Sequence, residues 1–166
     1  MSVSPQMFQR VEQLLGRTPR GLEDVPVTTC AGEPMVIRVA SLVEDKPFPT
    51  LFWLVAPDLG LRIDREEAGG LIARMQAQID ASPALQASMR EDHRRHMALR
   101  DSSLSTADRQ RLQELGFGMV LAQNAIGGLG DYGRTRCLHT WYAAHLVEPN
   151  TVGRLLDDYW ASEQPD

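Results

Sequence analysis

The sequence predicts an α+β fold: a small antiparallel sheet of about three strands within residues 25–56, packed with five or six helices in a single domain spanning residues 1–166. Three observations carry that expectation. β-Branched and aromatic runs broken by proline-bearing turns crowd into the first third of the chain. Helical apolar spacing with recognisable caps fills most of the remainder. A length of 166 residues suits one hydrophobic core without disulfide staples.

The elements follow in order. Residues 1–16 hold an N-terminal helix, with Met7, Phe8, Val11, Leu14 and Leu15 at helical spacing and Gly16 where a C-terminal cap belongs. The loop GRTPRG comes next and carries Arg17 and Arg20. Three strands are expected in VPVTT, MVIRVASLV and TLFWLV, separated by AGEP and EDKPFP. Connections this short join antiparallel neighbours, because a parallel crossover needs a dozen residues or more. Beyond Pro57 the period becomes helical, with Asp58 as a candidate N-cap and Gly69-Gly70 dividing two helices. Ser82-Pro83 opens another helix that reaches Arg100, and a further one runs from Thr106 to Leu115. Phe117 to Arg134 reads as a long glycine-rich loop with a short strand at Met119 to Leu121. Helices from Arg136 to Val147 and from Thr151 to Ser162, the latter capped by Asn150 or Thr151, close the chain.

Composition narrows the function. Hydrophobic residues make up 43% and charged residues 23%, as in folded water-soluble proteins, and the formal net charge is -5. With no long basic run, nucleic acid is not an expected partner. No apolar run approaches the roughly 20 residues of a membrane helix, so no membrane insertion is expected. Two cysteines do not make a secreted disulfide framework, and no N-terminal stretch resembles a signal peptide. The expected location is cytoplasmic.

The chemistry concentrates between Ile126 and His145, in IGGLGDYGRTRCLHTWYAAH. Gly127, Gly128, Gly130 and Gly133 precede Arg134, Arg136, Cys137 and His139 at the start of a helix. Three uses of that joint stay open. Unobstructed backbone N–H groups, a helix N-terminus and bidentate arginines suit a phosphate or carboxylate, with Arg17 and Arg20 able to join from the other loop. A helix N-terminus and neighbouring cations favour the thiolate of Cys137, while the bland alternative is a cysteine packed as a small hydrophobe. Metal binding would need Cys30, His93, His96, Cys137, His139 or His145 to converge, and neither CxxC nor HExxH spacing occurs, so a metal is not expected and no cofactor is identified. Asp92, Glu91, Asp157 and Asp158 are read as solvated helix-face charges, and the serines at 102, 103 and 105 as a linker.

Taken together, GRTPRG, Cys30 with Gly32 and Pro34, KPFPTLFWLVAP, IGGLG, RCLHTWYA and NTVG resemble the bacterial domain of unknown function 501 family over about residues 15–153. The matching positions are Arg17, Arg20, Gly21, Cys30, Pro47, Phe48, Pro49, Thr50, Gly127, Gly128, Cys137, His139, Asn150 and Gly153. The resemblance implies no activity, substrate or cofactor. It implies cytoplasmic bacterial proteins, encoded in actinobacteria near a septum-forming membrane protein and an exopolyphosphatase-like enzyme. Members commonly carry cysteine where this chain has Ala56 and histidine where it has Trp141, two departures that remove soft ligands.

Two expectations of different class result. The first is an anionic small ligand held by the glycine loop and by Arg17, Arg20, Arg134 and Arg136, with Cys137 or His139 as the reactive or orienting group. The second is a non-enzymatic interaction protein, linked to cell division, whose partner meets a helical face including Tyr159 and Trp160. The sequence leaves catalysis and oligomeric state open.

Overall fold

The computed structural model describes residues 3–128 and 130–163. The chain opens with α1 (Pro5–Leu15), where Ser4 caps the first turn by accepting from the Met7 N–H and Gly16 closes the last turn at φ 66°. Residues 1 and 2 of the expected N-terminal segment lie outside the described residues. Strands β1 (Leu22–Thr28), β2 (Pro34–Val39) and β5 (Phe52–Leu54) form an antiparallel sheet in the order β1-β2-β5.

Between β2 and β5 the chain leaves the sheet as a separate hairpin of β3 (Leu42–Val43) and β4 (Lys46–Pro47). MVIRVASLV is therefore two strands and not the expected one. The Phe48 N–H bonds the Ser41 carbonyl, and Glu44 and Asp45 make a two-residue left-handed turn that pulls the chain away from β2. Gly21 is needed where this hairpin packs, since a Cβ there would lie 2.5 Å from Val43 Cγ2.

Period-two alternation divides the strand side chains between two faces. On one face Ile37, Val39 and Val55 pack with Val11 of α1. On the other, Val36, Leu51 and Phe52 join the main core, built with α2 (Pro57–Ala68), α3 (Leu71–Asp80), α4 (Pro83–Ser103), α7 (Leu138–Val147) and α8 (Thr151–Ser162). The sheet is thus sandwiched between α1 and a helical layer. Pro57 at the first helical position places the N-cap of α2 at Ala56, and Asp58 sits within the first turn. Among the described residues no helix is long and apolar enough to cross a membrane.

The described residues contain eight α-helices, against an overall expectation of five or six and seven placed segment by segment in the sequence. Part of the difference lies in the segment read as a loop, which holds α6 (Gly118–Gln123) and a 3₁₀ turn at Ile126–Gly128 after α5 (Thr106–Glu114). The expected strand at Met119 to Leu121 is helical. The cause is tertiary: Arg100, wholly buried at the end of α4, donates to the carbonyls of Leu121, Asn124 and Pro49. One guanidinium thereby satisfies the free carbonyl end of α6 and ties it to the segment entering β5.

Candidate functional site

The site is assembled where α7 begins. Cys137 is the N-cap of α7, and its extended backbone leaves the helix N–H groups open without a side-chain cap of its own. Glu67, on the last turn of α2, supplies the missing acceptor, with Oε1 2.6 Å from the Leu138 N–H. The carboxylate thus occupies the positive end of α7, where the sequence suggested a bound anion. Helix α7 starts at Leu138, so Arg136 stands two residues before it and not on its first turn.

The same carboxylate meets the imidazole of His139, with Nδ1 3.4 Å from Glu67 Oε1 and 3.8 Å from Cys137 Sγ. On the other edge of the ring, Nε2 lies 3.2 Å from the Gly60 carbonyl and 3.2 Å from Asp64 Oδ1. A carbonyl only accepts, so Nε2 carries a proton. Cys137 and His139 are two apart in sequence, yet they meet because position 137 lies before the helix and escapes its angular spacing. Glu67, Cys137 and His139 each place one ligand atom within 4.8 Å of the others, and all three are partly buried.

Glu67 also walls a cleft of about 780 Å³ lined by Ile72, Gln76, Gly128, Gly130, Arg134, Thr135 and Arg136, among others. Gln76 of α3 fixes the loop beside it: Nε2 donates to the Gly133 carbonyl at 2.8 Å, and Oε1 accepts from the Thr135 N–H at 2.9 Å. This two-bond grip brackets Arg134 and holds both arginines at the cleft. Arg134 makes a long ion pair with Asp131 at 3.7 Å, and Arg136 makes none among the described residues. Gly127 and Gly128 have φ of 72° and 68°, so the turn itself requires them.

Other expected members lie elsewhere. Arg17 stacks over the Trp53 ring and Arg20 pairs with Glu44, both lining a separate depression with Lys46 and Phe48. They do not join Arg134 and Arg136. Cys30 is exposed in the turn between β1 and β2. His93 and His96 are core residues of α4: His93 Nδ1 accepts from the Ile126 N–H, its ring stacks on Tyr132, and His96 packs edge-on to Phe52. Burial holds both imidazoles neutral, pushing His93 down to about 4 and His96 to about 3, the latter helped by the Arg100 charge. His145 is a structural residue between Asp157 and the Asn150 N–H.

Sequence reasoning missed Asp64, Glu67 and Gln76. Asp64 and Glu67 are three apart on α2 and so share a face, but nothing local says that this face meets α7. Trp141 is core, its ring against His93, and Ala56 caps α2, so neither departure position belongs to the Glu67 group. Asp92 is buried, contrary to its reading as a solvated charge, and accepts from the Thr151 N–H at the start of α8.

Fold and site together define a small α+β protein in which a cysteine–histidine–carboxylate group adjoins an arginine-lined cleft. The chain belongs to the family described as protein of unknown function (DUF501), whose model matches residues 25–158. Residues Gly127 through His139 fall within that stretch, whereas Arg17 and Arg20 precede it. Comparison with curated proteins and with solved structures found no match.

Proposed function

We propose that this protein binds a small anionic ligand, a phosphate or carboxylate, in the cleft of Arg134 and Arg136, with Cys137 and His139 beside it as the reactive end of the site. One observation carries the reading: Arg134, Arg136 and Glu67 line a single cleft, and Glu67 reaches past it to the Leu138 N–H and His139. The guanidiniums supply charge and paired donors to the ligand, while the group behind Glu67 supplies sulfur, nitrogen and oxygen donors for chemistry. Arg17 and Arg20 are not part of this proposal, because they line another depression.

The interaction reading has less behind it. Trp160 is only 6% exposed, with Nε1 donating to Glu66, and the Tyr159 hydroxyl bonds Glu163. The large exposed apolar side chains Phe8, Leu61 and Met119 sit on three different helices.

The test is a thermal-shift series with phosphate, phosphorylated metabolites and dicarboxylates on wild type and Arg136→Ala. A saturable rise in Tm for wild type, reduced or lost in Arg136→Ala, is expected. Equal shifts in the two proteins, or none with any ligand, would overturn the reading.

A further inference from the structure

We infer that Glu67, Cys137 and His139 form an open three-ligand site for a divalent transition metal of the zinc class. The inference deepens the proposed function by giving its reactive end a metal, yet it stands on separate geometry. Cys137 Sγ, His139 Nδ1 and Glu67 Oε1 converge from the start of α7 and the end of α2. With Zn–S near 2.3 Å and Zn–N or Zn–O near 2.0–2.1 Å, a tetrahedral site has ligand–ligand edges of about 3.3–3.6 Å. The observed Nδ1–Oε1 and Nδ1–Sγ separations are 3.4 Å and 3.8 Å.

Charge and hydrogen bonding point the same way. Nε2 carries its proton toward the Gly60 carbonyl and Asp64, so Nδ1 of a neutral ring presents a lone pair to a carboxylate and a sulfur. Three electron-rich atoms facing one another need positive charge among them, either a proton on Nδ1 or a cation. The bond from Nε2–H to a carboxylate or carbonyl is the outer support that metal-binding histidines ordinarily have. Mixed sulfur, nitrogen and oxygen donors suit zinc, whereas magnesium and calcium prefer all-oxygen sites. Three protein ligands leave a coordination position for water or for an oxygen of the anion in the adjoining cleft.

The experiment uses the full chain, stripped by chelator and titrated with Zn²⁺ by calorimetry and with Co²⁺ by absorption. One zinc per chain is expected, and the cobalt form should show a near-ultraviolet thiolate charge-transfer band. Cys137→Ser should abolish the band, and it and His139→Gln should weaken zinc by at least roughly 100-fold. Asp64→Asn, at a mostly exposed side chain, should weaken zinc by roughly tenfold with folding intact. Cys30→Ser should change neither readout. The inference is overturned if the folded wild type takes up no stoichiometric zinc, as a proton on Nδ1 would require. It is overturned equally if Cys137→Ser binds like wild type or if the cobalt band follows Cys30. Phosphate binding to the metal-free protein, and its loss in Arg136→Ala with zinc retained, report on the cleft separately.

Discussion

Helices α7 and α8 begin in the same way and end up in different surroundings. Each has its first N–H groups answered by a carboxylate from a distant helix: Glu67 of α2 accepts from Leu138, and Asp92 of α4 accepts from Thr151. At α8 most of the other polar groups are also paired, the buried Thr151 hydroxyl excepted. Asn150 caps Gly153 with its side-chain oxygen and donates its amide to the Trp141 carbonyl, while Arg95 neutralises Asp92 at 2.5 Å. At α7 the carboxylate faces a thiol and an imidazole at the edge of an open cleft, with arginines standing by. A polar cluster whose groups are mostly paired with one another specifies structure. One that keeps spare donors and acceptors beside a cleft is equipped to take a ligand.

The largest expected effect bears on the buried, structural half. His93 and His96 are neutral in the fold with pKa values depressed to about 4 and about 3, so the unfolded chain takes up protons first. Their stabilisation is complete above about pH 6.5 and is lost as pH falls toward 4, by about 3 kcal/mol from His93 alone. Urea unfolding at pH 7.5 and pH 5 should show the decline, and a flat profile would mean these rings are not buried as described. Next, Gly153→Ala should destabilise by about 2–3 kcal/mol, because its Cβ would fall 2.0 Å from His145 Cγ. A Cβ at position 153 would also fall 2.4 Å from the His145 Cβ, so trimming the ring in His145→Ala should leave most of that penalty in the double variant.

The two capping carboxylates then give the sharpest contrast. Asp92→Ala strands a buried N–H and should cost about 1–3 kcal/mol with no effect on ligand or metal. Glu67→Gln keeps an acceptor at a partly exposed helix end and should cost about 0.5–1 kcal/mol, yet abolish tight zinc binding. Equal stability losses with zinc unchanged in both would erase the distinction between the two helix starts.

How much of this was legible in the sequence follows from the range of the interactions. Gly16, Ser82-Pro83, the Gly69-Gly70 break and Asn150 act within a few residues of themselves, and each lies where its local chemistry indicated. The stretch from Phe117 to Gly128 is partly helical where the sequence predicts a loop, because its order comes from Arg100, a residue on a different helix. The site divides in the same manner. Cys137, His139, Arg134 and Arg136 are close in sequence and stay close in space, whereas Glu67 and Gln76 reach them from about 60–70 residues away. Arg17 and Arg20 were grouped with the other arginines by charge alone, and the fold separates them.

The claim that the start of α7 takes a ligand and the start of α8 does not is tested most directly by one matched pair of arginine deletions. Arg136 precedes α7, and Arg154 lies on the first turn of α8. Phosphate titrated calorimetrically into metal-free wild type and Arg154→Ala should bind with the same affinity, and Arg136→Ala should bind at least roughly tenfold more weakly, the loss of one charge-assisted contact. Equal affinities in all three proteins, or a loss that follows Arg154, would contradict the account.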